Sequence, residues 1–119
     1  MNGKYKLYKE YNFGVARFEP GLKSFEEIIH LAIEMRKDKD FPEILYTLTD
    51  LRGITFDFDV SKINEMVQMV ESYKDVDNQL LGVYVIDDPK ATAYVQLFFK
   101  SLKYNRDFCS TIERVSDLG

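Results

Sequence analysis

The chain reads as one layered α/β domain of about five mixed strands: an antiparallel N-terminal hairpin, then parallel strand–helix–strand units, all covered by three helices. Residues 80–86 form a continuous apolar run closed by Asp87-Asp88-Pro89. That is the pattern of a strand buried on both faces of a parallel sheet and feeding a helix. Ser24-Phe25-Glu26-Glu27 matches a capping box, and an apolar stripe at helical spacing follows it. Residues 5–9 and 13–19 alternate apolar with polar, as a hairpin with one wet face does.

Pro20-Gly21 breaks the second strand, and the first helix carries Phe25, Ile28, Ile29, Ala32 and Ile33 on its buried side. The charged run at 36–40 and then Pro42 end that helix. Residues 44–49 form a short buried strand, left through Asp50-Leu51-Arg52-Gly53. Asp59 or Ser61 caps the next helix, whose stripe is Ile63, Met66, Val67 and Val70. After the strand at 80–86, Asp88 caps a third helix with Pro89 in its first position. Residues 108–112 are the last strand. Strand–helix–strand units of this kind pair in parallel through right-handed crossovers.

The 119 residues suit a single domain, 1–119, with no linker, repeat or low-complexity segment. Nine Phe and eight Tyr supply a core without Trp. Net charge is −4 and the basic residues are scattered, so nucleic acid is not an expected partner. Cys109 has no second cysteine to pair with; as a small apolar residue in a strand it fits a reducing compartment. Charges in residues 1–13 fall where a signal peptide needs an apolar stretch, and no run approaches the roughly 18 apolar residues of a membrane span. The expected location is cytoplasmic.

The third helix is more apolar than one sheet contact requires. Ala91, Tyr94, Val95, Leu97, Phe98, Phe99 and Leu102 cover about 200° of its circumference, against a little over 100° for a helix lying on a sheet. Either neighbouring helices or the loop after Gly53 cover the excess, or Tyr94, Val95, Phe98, Phe99 and Leu102 form the surface of a homodimer or of a regulatory protein complex. A groove for an apolar ligand or lipid is the remaining option.

Chemistry is thin. Ligands of open α/β sheets bind beyond the carboxyl ends of parallel strands, where Asp50, Arg52, Asp87 and Asp88 stand as candidate ligand-binding residues. Three convergent carboxylates would suit a hard cation. The simpler reading makes Asp88 a helix cap and pairs Asp50 with Arg52 or a loop amide. His30, the only histidine, reads as a half-exposed structural residue beside an apolar stripe. No nucleophile–base arrangement, glycine-rich phosphate loop or metal-ligand cluster stands out, so no catalytic residue, metal or cofactor is assigned.

The hairpin, the capped first helix, Lys39-Asp40-Phe41-Pro42 before a strand ending in Asp50-Leu51-Arg52, and residues 83–86 followed by Asp87 and a helix resemble the STAS-like family. That family is related to anti-sigma-factor antagonists and is sometimes grouped with lipid-binding CRAL-TRIO domains. The resemblance covers nearly the whole chain and implies a non-enzymatic regulatory or interaction module. Antagonists carry a phosphorylatable hydroxyl where this chain has Leu51 and Arg52, so the family's phosphate switch is not expected here. The leading expectation is a self-associating STAS-like module acting through the third helix. A carrier or sensor of an apolar small molecule or lipid, bound near Phe56, Phe58, Phe98 and Phe99, is the alternative. A metal-dependent enzyme using the carboxylates comes third.

Overall fold

Strand β1 (Gly3–Tyr8) and strand β2 (Phe13–Phe18) form the N-terminal antiparallel hairpin, with Gly3 opposite Phe18 and Tyr8 opposite Phe13. The computed structural model describes residues 3–73, 80–101 and the backbone of 108–109. A short 3₁₀ turn, Lys9–Tyr11, joins the two strands and closes at Asn12, whose φ of 55° is left-handed. Asparagine tolerates that region through its short polar side chain. Here the Asn12 amide group donates to the Glu43 carbonyl at 2.8 Å, which ties the hairpin to the approach to the next strand of the sheet.

The main sheet continues through β4 (Tyr46–Asp50), β6 (Leu81–Val85) and the two-residue β7 (Phe108–Cys109), in the order β1-β2-β4-β6-β7. All pairings after the hairpin are parallel. This is the mixed α/β sheet expected. Residues 110–112, expected to extend β7, lie outside the described residues. A second, two-stranded parallel sheet was not expected: β3 (Gly21–Lys23) pairs with β5 (Ile54–Phe56). Strands of three residues are too short to show alternation. Their register is set by Gly53, whose φ of 75° suits glycine and whose carbonyl accepts the Gly21 amide at 2.9 Å.

Three helices are described. Helix α1 (Phe25–Lys37) starts with the full capping box: the Glu27 amide donates to Ser24 Oγ at 3.2 Å, and the Ser24 amide to Glu27 Oε1 at 3.1 Å. Helix α2 (Ile63–Glu71) grows out of a 3₁₀ turn capped by Asp59, so the cap stands one turn earlier than the helix proper. Helix α3 (Pro89–Ser101) is capped by Asp88, which accepts from the Ala91 amide at 2.9 Å. No helix among the described residues is long and apolar enough to cross a membrane.

The parallel strands advance across the sheet in one direction, so right-handed crossovers place every helix on the same face. Facing the helices are Ala16 and Phe18 of β2, Thr47 and Thr49 of β4 and Tyr84 of β6. On the opposite face Tyr46 and Leu81 stand 50% and 36% exposed. The expectation that residues 80–86 are buried on both faces is therefore corrected. The strand is central, between β4 and β7, but on its open face Leu81 is exposed and Val83 half-buried, and on the helix face Gly82 is buried and Tyr84 half-buried.

Candidate functional site

The core between sheet and helices holds a cavity of about 100 Å³. Its floor is the sheet: Ala16, Thr47, Thr49 and Tyr84. Its walls are aromatic and aliphatic side chains of α1, α2 and α3, with Phe56 and Phe58 from β5 and the loop after it. The space arises from small residues in register. Gly14, Thr47 and Gly82 lie in one row across three strands, and Ala16 and Thr49 in the next. Leu7 and Ile44 take up the room above Gly14. The row of Ala16 and Thr49 is flanked on the same face by Tyr5 of β1 and Tyr84 of β6, and the helices span the space above it.

The cavity reaches solvent. Thr49 belongs to a central strand and faces the helices, yet it is half-exposed. Ile28, Ala32 and Arg36, spaced four residues apart along α1, Met66 of α2, Phe58 and Tyr94 are half-exposed residues of the wall. Arg36 is turned back onto its own helix: Nη1 donates to the Ala32 carbonyl at 3.1 Å, and the guanidinium lies 5.6 Å from the Phe41 ring centre.

The aromatic wall explains the breadth of the apolar stripe on α3. Tyr94 packs on Phe56 and Phe58, with ring centres 5.9 and 5.5 Å apart, and donates its hydroxyl to the Phe58 carbonyl at 3.0 Å. Phe99 stands edge-on to Tyr84 at 5.2 Å and to Phe98 at 5.3 Å. Val95, Phe98 and Phe99 are all buried within their own subunit. This corrects the expectation that Val95, Phe98 and Phe99 present a contact surface, while Tyr94 is half-buried. The excess is covered by α2, by β5 and by the loop after Gly53. Leu97 is the large hydrophobic of α3 left exposed, and Leu102 lies outside the described residues.

The carboxylate group at the strand ends is real but otherwise engaged. Pairing of β4 with β6 does bring the loops carrying Asp50 and Asp87 together. Asp50 accepts from Arg52 through its amide at 3.1 Å, Nε at 2.9 Å and Nη2 at 2.8 Å, with Arg17 Nε at 3.8 Å. Asp87 accepts from the Gly53 amide at 2.9 Å, and Asp88 is the α3 cap. None of Asp50, Arg52, Asp87 or Asp88 lines the cavity. They hold the β4–β5 turn and the start of α3 in place. Among the described residues no group of three or more His, Cys, Asp or Glu is placed to hold a metal ion. His30 is exposed and pairs with Glu34 at 3.2 Å, one helical turn away.

Asp50 has an acid signature. Hydrogen bonds from the Arg52 side chain, aided by its amide and by Arg17, hold the carboxyl below its ordinary 3.8 against the opposing effect of burial. A depressed folded value means stability that is present above about pH 4 and lost as pH falls through the folded value. Asp50→Asn is expected to lower Tm by roughly 3 °C at pH 7, since Arg52 is half in water and the pair is screened. The difference from wild type should shrink below pH 4, as thermal melts from pH 3 to 7 will record. A difference that does not change with pH would exclude this linkage.

Comparison with family models, with curated proteins and with solved structures finds no match. The site is therefore argued from its own geometry. Of the four residues expected beside an apolar ligand, Phe56, Phe58 and Phe98 line the cavity and Phe99 does not. It missed Thr47 and Thr49. Threonines in a strand look ordinary, and their significance needs the register that puts Gly14 and Gly82 on either side.

Proposed function

We propose that this protein is a non-enzymatic cytoplasmic module that binds a small apolar molecule in the cavity between its sheet and its helices, as a carrier or sensor. The cavity carries the proposal. Close packing leaves few voids larger than a water molecule in a protein interior, and filling such a space stabilises the fold. The cavity of about 100 Å³ is open to solvent, a concave apolar space of the kind that holds small ligands. Its size also selects among ligands. Apolar cavities of roughly 150 Å³ take up benzene or xenon. This one suits a compact molecule of somewhat fewer atoms, and a long acyl chain does not fit it, which favours a small molecule over a lipid.

The test uses 2-methylbutane, an apolar probe of matching size. Titrated into ¹⁵N-labelled protein, it is expected to shift the amide signals of Ala16, Thr47, Thr49 and Leu51 in a saturable way. Native mass spectrometry after mild purification should also show a small co-purified molecule in at least one expression host. Shifts confined to surface residues, with no co-purified mass, would defeat the proposal.

A second reading keeps a protein-interaction module of STAS-like type but moves its contact to the sheet. Tyr46 and Leu81, exposed on the face opposite the helices, favour it. Sedimentation at micromolar concentration decides. Self-association abolished by Leu81→Lys supports this reading, and a monomer unaltered by the change removes self-association through this face.

A further inference from the structure

We infer that the ligand carries one neutral hydrogen-bonding group, a hydroxyl or a carbonyl, which sits against the Thr47 hydroxyl while its apolar body fills the rest of the cavity. The inference rests on the binding reading above and names the chemical class of the ligand. Thr47 is only 6% exposed. It lies in the middle of the sheet, on the cavity floor, and no protein group among the described residues hydrogen-bonds its side chain. The hydroxyl is not sealed in the packing but keeps accessible surface, so a polar group of a ligand entering the cavity can take the place of its water.

The orientation is set by the neighbours. The Thr47 methyl group is turned toward Gly14 of β2, where a Cβ would stand 3.7 Å from it. Its Oγ1 is turned toward Gly82 of β6, where a Cβ would stand at 3.6 Å. Gly82 has no side chain of its own there, and the Tyr84 ring edge lies beside the same spot, 3.4 Å from where a Cβ would stand. Thr49, two residues along the same face, lines the same cavity and likewise has no protein partner for its hydroxyl among the described residues. Two hydroxyls in an otherwise aromatic and aliphatic enclosure form a polar spot on an apolar surface. Such a spot fixes orientation and gives specificity in ligand sites.

A neutral group fits better than a charged one. The cation of the wall, Arg36, is directed to the Ala32 carbonyl and the Phe41 ring. A carboxylate placed at Thr47 would exchange its water for hydroxyl donors, and the wall's one lining cation among the described residues, Arg36, already donates to the Ala32 carbonyl, so burying an ion there is costly. Threonine can donate to a carbonyl and can donate to or accept from a hydroxyl.

Three probes of nearly equal size separate the possibilities: 2-methylpropan-1-ol, 2-methylbutane and isobutyrate, each titrated by NMR into the wild-type protein and into Thr47→Val, Thr47→Ser and Gly82→Ala. Wild type is expected to bind the alcohol at least fivefold more tightly than the hydrocarbon, the worth of about one hydrogen bond. Thr47→Val keeps the shape and should erase that preference while leaving hydrocarbon affinity equal or better. Thr47→Ser should restore it. Gly82→Ala, whose added carbon meets Oγ1 and the Tyr84 ring at ordinary contact distances of 3.6 and 3.4 Å, should weaken it. Equal affinity for alcohol and hydrocarbon would overturn this inference while leaving the cavity reading intact. Preference for isobutyrate would overturn the assignment of a neutral group. Failure of all three probes to bind would instead remove the binding function itself.

Discussion

Ala16→Leu is expected to raise Tm by about 5 °C and to weaken binding of 2-methylbutane at least tenfold. Ala16 is 5% exposed and lies on the cavity floor, level with Tyr5 on β1 and Thr49 on β4. Leucine adds three carbons that point into space instead of into a neighbour. Each buried methylene contributes about 0.8 kcal/mol, so three amount to about 2 kcal/mol, less what the new side chain loses in rotamer freedom. Filling the same volume excludes a ligand. The two effects have opposite signs, stability up and affinity down, and that combination marks a cavity kept for occupancy rather than a packing defect of no consequence. Thermal melts and NMR titration of the variant measure both. A lower Tm with unchanged affinity would mean that the side chain at 16 does not enter the cavity.

Phe99→Asp is expected to lower Tm by roughly 15 °C or more and to leave the protein partly unfolded at 37 °C. Truncating a buried aromatic costs about 3–5 kcal/mol, and a carboxylate left among Tyr84 and Phe98 adds a desolvation cost to that. Against a total stability of about 5–15 kcal/mol, little remains. Had this side chain belonged to a contact between subunits, the same change would separate them and leave each subunit folded. Leu97→Asp is the control. It lies on the same helix but is 41% exposed, and it should change stability by less than about 0.5 kcal/mol. Equal melting temperatures for the two variants would reinstate α3 as a contact surface.

These two positions also show how far the sequence could be read. The capping box at Ser24, the Asp88-Pro89 helix start and the apolar run at 80–86 are local signals. They placed α1, α3 and β6 because caps and periodicity act within a few residues. The width of the apolar stripe on α3 was visible too, but what covers it was not. Tyr94 meets Phe56 and Phe58 across more than 35 residues of chain, and Phe99 meets Tyr84 across 15, contacts that no local pattern encodes. The coverage of the sheet on one face was within reach. Given strands that pair in chain order, the handedness of crossovers requires it. An apolar run was read instead as two buried faces, whereas Leu81 shows that a β-strand can stay apolar on its open side.

The candidate site was harder still. Asp50, Arg52, Asp87 and Asp88 drew notice because charged residues at strand ends are where ligands of open sheets gather. Each proved to satisfy a nearby amide or guanidinium, work that any sharp turn needs done. The cavity floor drew none, because glycine, alanine and threonine in strands are unremarkable one at a time. Only their alignment across β2, β4 and β6 makes room, and alignment is a property of register.

The most direct measurement is a crystal of the protein held under xenon pressure. Xenon reports accessible apolar space without needing a chosen chemistry. One ordered xenon atom is expected above Ala16 and Thr49, within van der Waals reach of Phe56 and Phe98, and none at that place in Ala16→Leu. Density for xenon on the surface alone, with the helices closed onto the sheet at Ala16, would contradict it.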